Sequence, residues 1–226
     1  GATLAYDQAI FGTFVAGLIL WTITRGARRD LRVHDGFFLV AATWVVLPLF
    51  GALPLLAFLP TLSFTDAYFE AVSGLTATGA TVLTGLDDLP ISINLWRTFM
   101  HWIGGMGVIV LVVAILPLLG IGGRQLYKAE VPTPMKDASL TPRIAETAKG
   151  LWVTYLLLTV SCGFSLWWAG LGGWDALIHA FTITGLGGFS SKDASLGHFD
   201  NLNVELVTIT FALLAGLNYA THYLAL

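Results

Sequence analysis

The chain of 226 residues is 56% hydrophobic and only 11% charged, with a mean hydropathy of +0.77, too few charges to cover a water-soluble globule, which argues against a soluble enzyme domain. A net charge of −3, a pI near 5.9 and no basic cluster interleaved with aromatics give no support for nucleic-acid binding. The single cysteine, Cys162, excludes an internal disulfide and offers no metal set. In chain order, charge-free stretches run over 8–24, 36–65, 98–123, 150–174 and 206–226. Each is near or above the ~18–20 residues that span a hydrocarbon core, so five crossings are expected. The first is not a secretion signal, because Asp7 precedes it and Arg25, Arg28 and Arg29 follow it. A first residue Gly1 and a last residue Leu226 inside an apolar run suggest a segment of a longer protein.

Nine of the eleven Lys and Arg fall into two loops, Arg25 to Arg32 and Arg124 to Lys149, which the positive-inside rule makes cytoplasmic. The intervening segments, roughly 61–97 and 171–205, are acidic and face outward. Five crossings close this parity: in at 8–24, out at 36–60, in at 98–119, out at 150–170, in at 206–225.

A shift of 109 residues (175 − 66) superposes Asp66 on Asp175, Ala67 on Ala176, Ala71 on Ala180, Gly79 on Gly188, Asn94 on Asn203 and Gly107 on Gly216. The chain thus divides into a preceding helix with its basic loop (1–32), a first repeat (33–123), a cytoplasmic connector (124–149) and a second repeat (150–226). Corresponding helices cross in the same direction, so the repeats are parallel and related by an axis along the membrane normal.

Each outer segment opens with an Asp, suited to a helix N-cap, and a helix of about nine residues: DAYFEAVSG from Asp66, DALIHAFTI from Asp175. Such a helix, roughly 13 Å long, is too short to cross and too apolar to float, so it dips in and returns. TATGAT (76–81) and GLGGFS (185–190) follow at the same repeat phase. Irregular backbone at membrane depth is tolerated where it is buried in protein or lines a water-filled cavity, and its carbonyls there suit a cation. Taken alone, TATGAT reads equally well as a packing segment or a plain turn; the GGMG run at 104–107 reads as close helix packing.

At FEAVSGLTATGATVL (69–83), LWRTFMHWIGGMGVIVLVVAILP (95–117), PMKDASLTPRIAETAKGLW (134–152), GGFSSKDASLGHFD (187–200) and LLAGLNYATHYLAL (213–226) the sequence resembles the Trk/Ktr/HKT superfamily of potassium transporters, most closely its TrkH-type subunits. The resemblance implies an all-α polytopic membrane protein of tandem parallel helix–pore-loop–helix repeats, as in potassium channels. It implies four such repeats around one potassium pathway, of which this chain resembles the first two. Carried over by position, the potassium-binding filter strands are Ala77, Thr78, Gly79 and Ala80, then Leu186, Gly187, Gly188 and Phe189. Gly at both central positions favours potassium, where sodium-permitting members resemble Ser replacements in the first repeat. The resemblance also implies a cytoplasmic nucleotide-binding regulatory subunit of TrkA type, a homodimer, and a bacterial inner membrane; the basic inner loop suits such a partner or anionic lipid.

Several side chains carry two readings. Glu70 either supports the filter or concentrates cations at the mouth, against a solvated Glu of the first helical turn. Arg97 and Glu205 open the second helices of the two repeats, so they are candidates for a cross-repeat ion pair, against interfacial snorkelling by Arg97. Asp66 and Asp175 are candidates for mouth or filter support; Asp87, Asp88, Asp193 and Asp200 make either a negative mouth or a solvated surface. His101 and His222 read as packing histidines rather than proton relays, and Trp44, Trp102, Trp152, Trp167, Trp168 and Trp174 as interfacial anchors. The leading function is potassium uptake without an organic cofactor, with channel-like and ion-coupled transport both open. The alternatives are a non-conducting membrane subunit and an intramembrane enzyme, the latter disfavoured because Ser190 lacks a G-x-S-x-G setting and no H-E-x-x-H spacing occurs.

Overall fold

The computed structural model describes residues 2–26, 33–107 and 144–217. Its regular structure there is helical: α1 (Ala2–Thr24), α2 (Val33–Gly51), α3 (Leu53–Phe58), α4 (Phe64–Leu75), α5 (Ile91–Gly105), α6 (Ile144–Trp168), α7 (Gly173–Thr184) and α8 (Leu202–Gly216). Thr3–Thr24, Ala41–Phe58 and Gly150–Trp168 are long and apolar enough to cross a membrane, and Leu202–Gly216 is a shorter apolar helix. The inner ends expected at 108–123 and 218–226, most of the connector 124–149, and His222 lie outside the described residues.

Pro48 sits inside α2 and Pro54 in the first turn of α3, with Ala52 between them, so two amide donors are missing from this candidate span. Ala52 N still donates to the Pro48 carbonyl at 2.9 Å, which keeps the two helices nearly continuous.

α4 and α7 are the short helices expected from the outer segments. Their N-caps are Ser63 and Gly172, so Asp66 and Asp175 occupy the third helical position instead of the cap. Ser63 Oγ accepts from Asp66 N at 3.1 Å and donates to the Asp66 carboxylate at 2.7 Å, so the serine caps the helix and the aspartate orients its hydroxyl. α5 begins at Ile91 behind Pro90, seven residues before the charge-free stretch, because Asn94 and Arg97 are buried against protein and need no outer solvent.

Each half has its own apolar core. Ala52, Leu55, Ala67, Ala71, Leu75, Ile93 and Met100 form one; Cys162, Leu166, Leu171, Ala176, Ala180, Ile183 and Val204 form the other. Ala67 and Ala71 in α4 match Ala176 and Ala180 in α7 at the shift of 109, and all four are buried. Small residues one turn apart let each short helix approach its neighbours closely.

α5 joins the halves, packing on α4 and on α7. Its glycines permit this: a Cβ on Gly104 would strike the Leu75 carbonyl, and one on Gly105 the Gly185 backbone. The GGMG run is therefore a close-packing contact with the C-terminal ends of both short helices. Trp102 and Trp152 lie in an aromatic cluster with Tyr155 rather than at an outer rim, Trp102 Nε1 donating to Thr159 Oγ1 at 3.0 Å. Trp167, Trp168 and Trp174 are exposed near the other end of α6, as anchors require.

Candidate functional site

The site is built where α4 and α7 end. Ala77 N donates to the Gly74 carbonyl and Thr78 N to that of Ser73; in the second half Leu186 N donates to Ile183 and Gly187 N to Thr182. These are two Schellman closures at the same register, which place a left-handed residue just past each helix. Glycine is usual there, but this chain uses Ala77 (φ 52°) and Leu186 (φ 55°). A second positive φ follows two residues on, at Gly79 (76°) and Gly188 (89°). Both segments thus alternate the hand of the backbone at positions one repeat apart, a conformation that costs roughly 1–2 kcal/mol at each non-glycine residue. The segments also touch: a Cβ on Gly79 would collide with the Gly187 carbonyl.

Behind the segments, equivalent residues of the two short helices grip equivalent hydroxyls. Glu70, fully buried, accepts from Thr81 Oγ1 at 2.8 Å and from Val82 N at 3.1 Å. Its counterpart His179 meets Ser190 Oγ through Nε2 at 2.9 Å and the Asp175 carbonyl through Nδ1 at 2.7 Å. A carbonyl only accepts, so Nδ1 carries the proton and Nε2 of the neutral ring accepts from Ser190. Thr81 and Ser190 are themselves 109 residues apart (190 − 81), as are Glu70 and His179 (179 − 70). The Asp175 carboxylate accepts from Ser191 Oγ at 2.7 Å, fastening the exit of the second segment to the start of α7.

Arg97 of α5 is fully buried and pairs with Glu70 at 2.7 Å. Its guanidinium also lies 4.4 Å from the centroid of the Phe189 ring. The Phe189 ring also stacks with that of His101 at 4.0 Å, and His101 Nδ1 lies 2.9 Å from Thr182 Oγ1. Asn94, Arg97, Thr98 and His101 recur at helical spacing, and all four are buried. They make one polar face on a helix whose other faces are apolar.

Beyond the segments the outer loops interlock. Asp193 Oδ1 accepts from Leu86 N and Asp87 Oδ2 from Asp193 N, both at 3.2 Å. Lys192 Nζ lies 3.4 Å and His198 Nδ1 3.7 Å from Asp87 Oδ1. The Asp193 amide, aided by Lys192 and His198, holds the Asp87 carboxyl below its ordinary value.

A model of the TrkH family, described as a cation transport protein, matches residues 5–226. The chain belongs to the TrkH family. Relatives of this chain include the Trk system potassium uptake protein TrkH of Salmonella typhimurium, 49% identical over 99% of this chain and 46% of that protein. TrkG of Escherichia coli, also a Trk system potassium uptake protein, is 43% identical over 97% of this chain and 47% of its own length. The crystal structure of the potassium transporter TrkH from Vibrio parahaemolyticus matches with a TM-score of 0.79 at 44% identity, over 99% of this chain and 44% of that one. The chain therefore spans about half the length of the relatives it matches.

Against the sequence expectations, the structure brings Gly79 and Gly187 together and buries Gly187 and Phe189, while Thr78, Ala80, Leu186 and Gly188 are exposed. Glu70 is not a solvated first-turn residue, and Arg97 neither snorkels nor meets Glu205. Glu205 is exposed on the first turn of α8, where a carboxylate favours the helix dipole. Asp66 bonds Ser63, the cap of its own helix, whereas Asp175 holds Ser191. Sequence reasoning missed Thr81, Ser190, Asn94 and Thr182 as supports. A signal existed for the first two: a hydroxyl follows both Glu70 and His179 by eleven residues (81 − 70, 190 − 179).

Proposed function

We propose that this chain supplies two of the backbone filter strands of a potassium uptake pathway, with Ala77, Thr78, Gly79 and Ala80 in one and Leu186, Gly187, Gly188 and Phe189 in the other. The observation that carries the reading is the pair of positive-φ alternations at 77/79 and 186/188, set side by side through Gly79 and Gly187. Alternating handedness turns successive peptide planes so that carbonyls can share one side, where they replace the hydration shell of a dehydrated monovalent cation. The two helix C-termini that run into the strands add negative dipole ends. The ion is the substrate of transport and needs no covalent chemistry.

Around this pathway the chain divides at 33–123 and 150–226 into two parallel repeats, with 1–32 preceding them and 124–149 joining them on the cytoplasmic side. The names of the relatives as Trk system potassium uptake proteins support potassium as the ion and a multi-component assembly. A TrkA-type nucleotide-binding subunit on the basic inner face, a homodimer in the membrane and a bacterial inner membrane are the corresponding partner and location.

The test is rubidium uptake, with and without competing sodium, by full-length Gly79→Ser and Gly188→Ser variants in cells lacking their own potassium uptake. Loss of discrimination against sodium, or of uptake, is the expected result. Unaltered uptake with unaltered discrimination in both variants refutes the filter reading and favours a non-conducting membrane subunit.

A further inference from the structure

We propose that Arg97 is the positioning residue that sets the spacing between the two strands, a role that rests on the filter reading above. A guanidinium has five N–H donors in a rigid fork. Here Nε donates to Glu70 Oε1 at 2.8 Å, Nη1 to Asn94 Oδ1 and to the Ser190 carbonyl at 3.2 Å each, and Nη2 to Thr81 Oγ1 at 3.1 Å while lying 2.7 Å from Glu70 Oε1. Four of the five donors thus have a hydrogen-bond acceptor, and the acceptors come from three places: Glu70 and Thr81 of the first half, Asn94 of α5 itself, and Ser190 just after the second strand.

The geometry makes one side chain a ruler. Glu70 fixes the guanidinium to the first strand, since the same carboxylate also holds Thr81 Oγ1 and Val82 N. The opposite edge reaches the Ser190 carbonyl, and the face lies 4.4 Å from the Phe189 ring centroid. Asn94, which orients Nη1, reinforces the link by donating to the Leu86 carbonyl at 2.8 Å. Movement of either strand relative to the other must stretch a charge-assisted bond in a buried setting. The pair is neutral overall, so Arg97 can hold the strands without placing net charge beside the permeating cation. Lysine offers a point charge with three donors and no planar fork, and does not reproduce this span.

A neutral double variant separates positioning from bulk stability. Neutralising both members of a buried ion pair at similar volume removes their desolvation penalty along with their attraction, and so costs far less than removing one partner alone. Full-length Glu70→Gln/Arg97→Met is therefore expected to reach the membrane in amounts near wild type and to melt near it in detergent, yet to lose about tenfold in rubidium-over-sodium discrimination, the equivalent of one lost charge-assisted bond. Arg97→Lys is expected to show the same loss. A double variant with wild-type discrimination, or full rescue by Arg97→Lys, overturns the proposal. Should neither variant accumulate, Asn94→Ala decides by the same ratio: a fall supports the ruler and an unchanged ratio overturns it. Gly79→Ser, run alongside, keeps the two readings apart. Discrimination altered in Gly79→Ser but not in the Arg97 variants removes the ruler alone, and discrimination unaltered in Gly79→Ser removes the filter itself.

Discussion

The same chemical change, glycine to alanine, should act with opposite sign at two helical positions of this chain. At Gly12 in α1 an added Cβ meets, among the described residues, Leu53 Cδ1 alone at 3.9 Å, an ordinary contact. Alanine there recovers the backbone entropy that glycine costs in a helix, about 0.5–1 kcal/mol. At Gly104 in α5 the added Cβ would strike the Leu75 carbonyl, with the carbonyl carbon 2.6 Å and Leu75 Cα 3.1 Å away. Those are backbone atoms of α4, so no side-chain rotation relieves them, and overpacking of this kind costs roughly 1–3 kcal/mol. The entropy gain offsets only part of that. Gly12→Ala and Gly104→Ala should therefore differ in stability by about 1–3 kcal/mol, with Gly12→Ala the more stable. Leu75 is followed at once by Thr76 and Ala77, so the displaced carbonyl also shifts the start of the first strand. Thermal unfolding of the purified full-length protein in detergent reads the first effect, and rubidium uptake the second. Gly104→Ala melting at or above Gly12→Ala, with uptake intact, refutes the packing argument.

The outer clasp has a definite pH dependence. The Asp193 amide, with Lys192 and His198, lowers the Asp87 carboxyl in the folded chain. A group depressed on folding stabilises the fold above its unfolded value and loses that contribution as pH falls through the folded value. The stability difference between wild type and Asp87→Asn should therefore be present well above the ordinary carboxylate value of 3.8 and fall away as pH drops below it, as read by melting at a series of pH values. A difference that disappears near neutral pH refutes the assignment. At the other fastening, Asp175→Asn weakens the bond from Ser191 Oγ and should cost about 1–2 kcal/mol of stability, with Ser191→Ala costing a similar amount. Their effects should be less than additive in a double-mutant cycle, and full additivity removes the contact.

How far the sequence carries depends on whether a feature is local. The shift of 109 residues located both short helices, and four of its matched residues, Ala67, Ala71, Ala176 and Ala180, are buried in the two cores. Gly79 and Gly188 adopt positive φ as glycine permits. The caps were misplaced by three residues because the expectation stopped at the first acidic residue, although Ser63 three positions before Asp66 is itself a capping-box pattern. The start of α5 was misplaced because hydropathy counts Arg97 as a residue that must stay near water. Arg97 is fully buried instead, and its partner is Glu70 of the neighbouring short helix, not Glu205 one repeat further along. Such a choice is made by tertiary juxtaposition, which single-residue readings do not contain.

The same juxtaposition gives a reason for buried charge in this chain. A helix buried in apolar surroundings and carrying Asn94, Arg97, Thr98 and His101 on one face holds more polar groups than it can satisfy alone. Backbone that leaves the helix, as after α4 and α7, exposes carbonyls and amides that no longer bond within a helix. Each deficit is costly by itself in a low-dielectric setting. Together they cancel: Arg97 donates to the Ser190 carbonyl, Asn94 to the Leu86 carbonyl, and Glu70 accepts from Val82 N. Irregular backbone and buried charge thus stabilise one another. Removing Glu70 alone should accordingly be worse than removing the pair, because it leaves a guanidinium without its carboxylate, at a cost of about 3–5 kcal/mol. Membrane abundance and melting of Glu70→Gln against the double variant Glu70→Gln/Arg97→Met measure that difference, and a single variant as stable as the double one contradicts the argument.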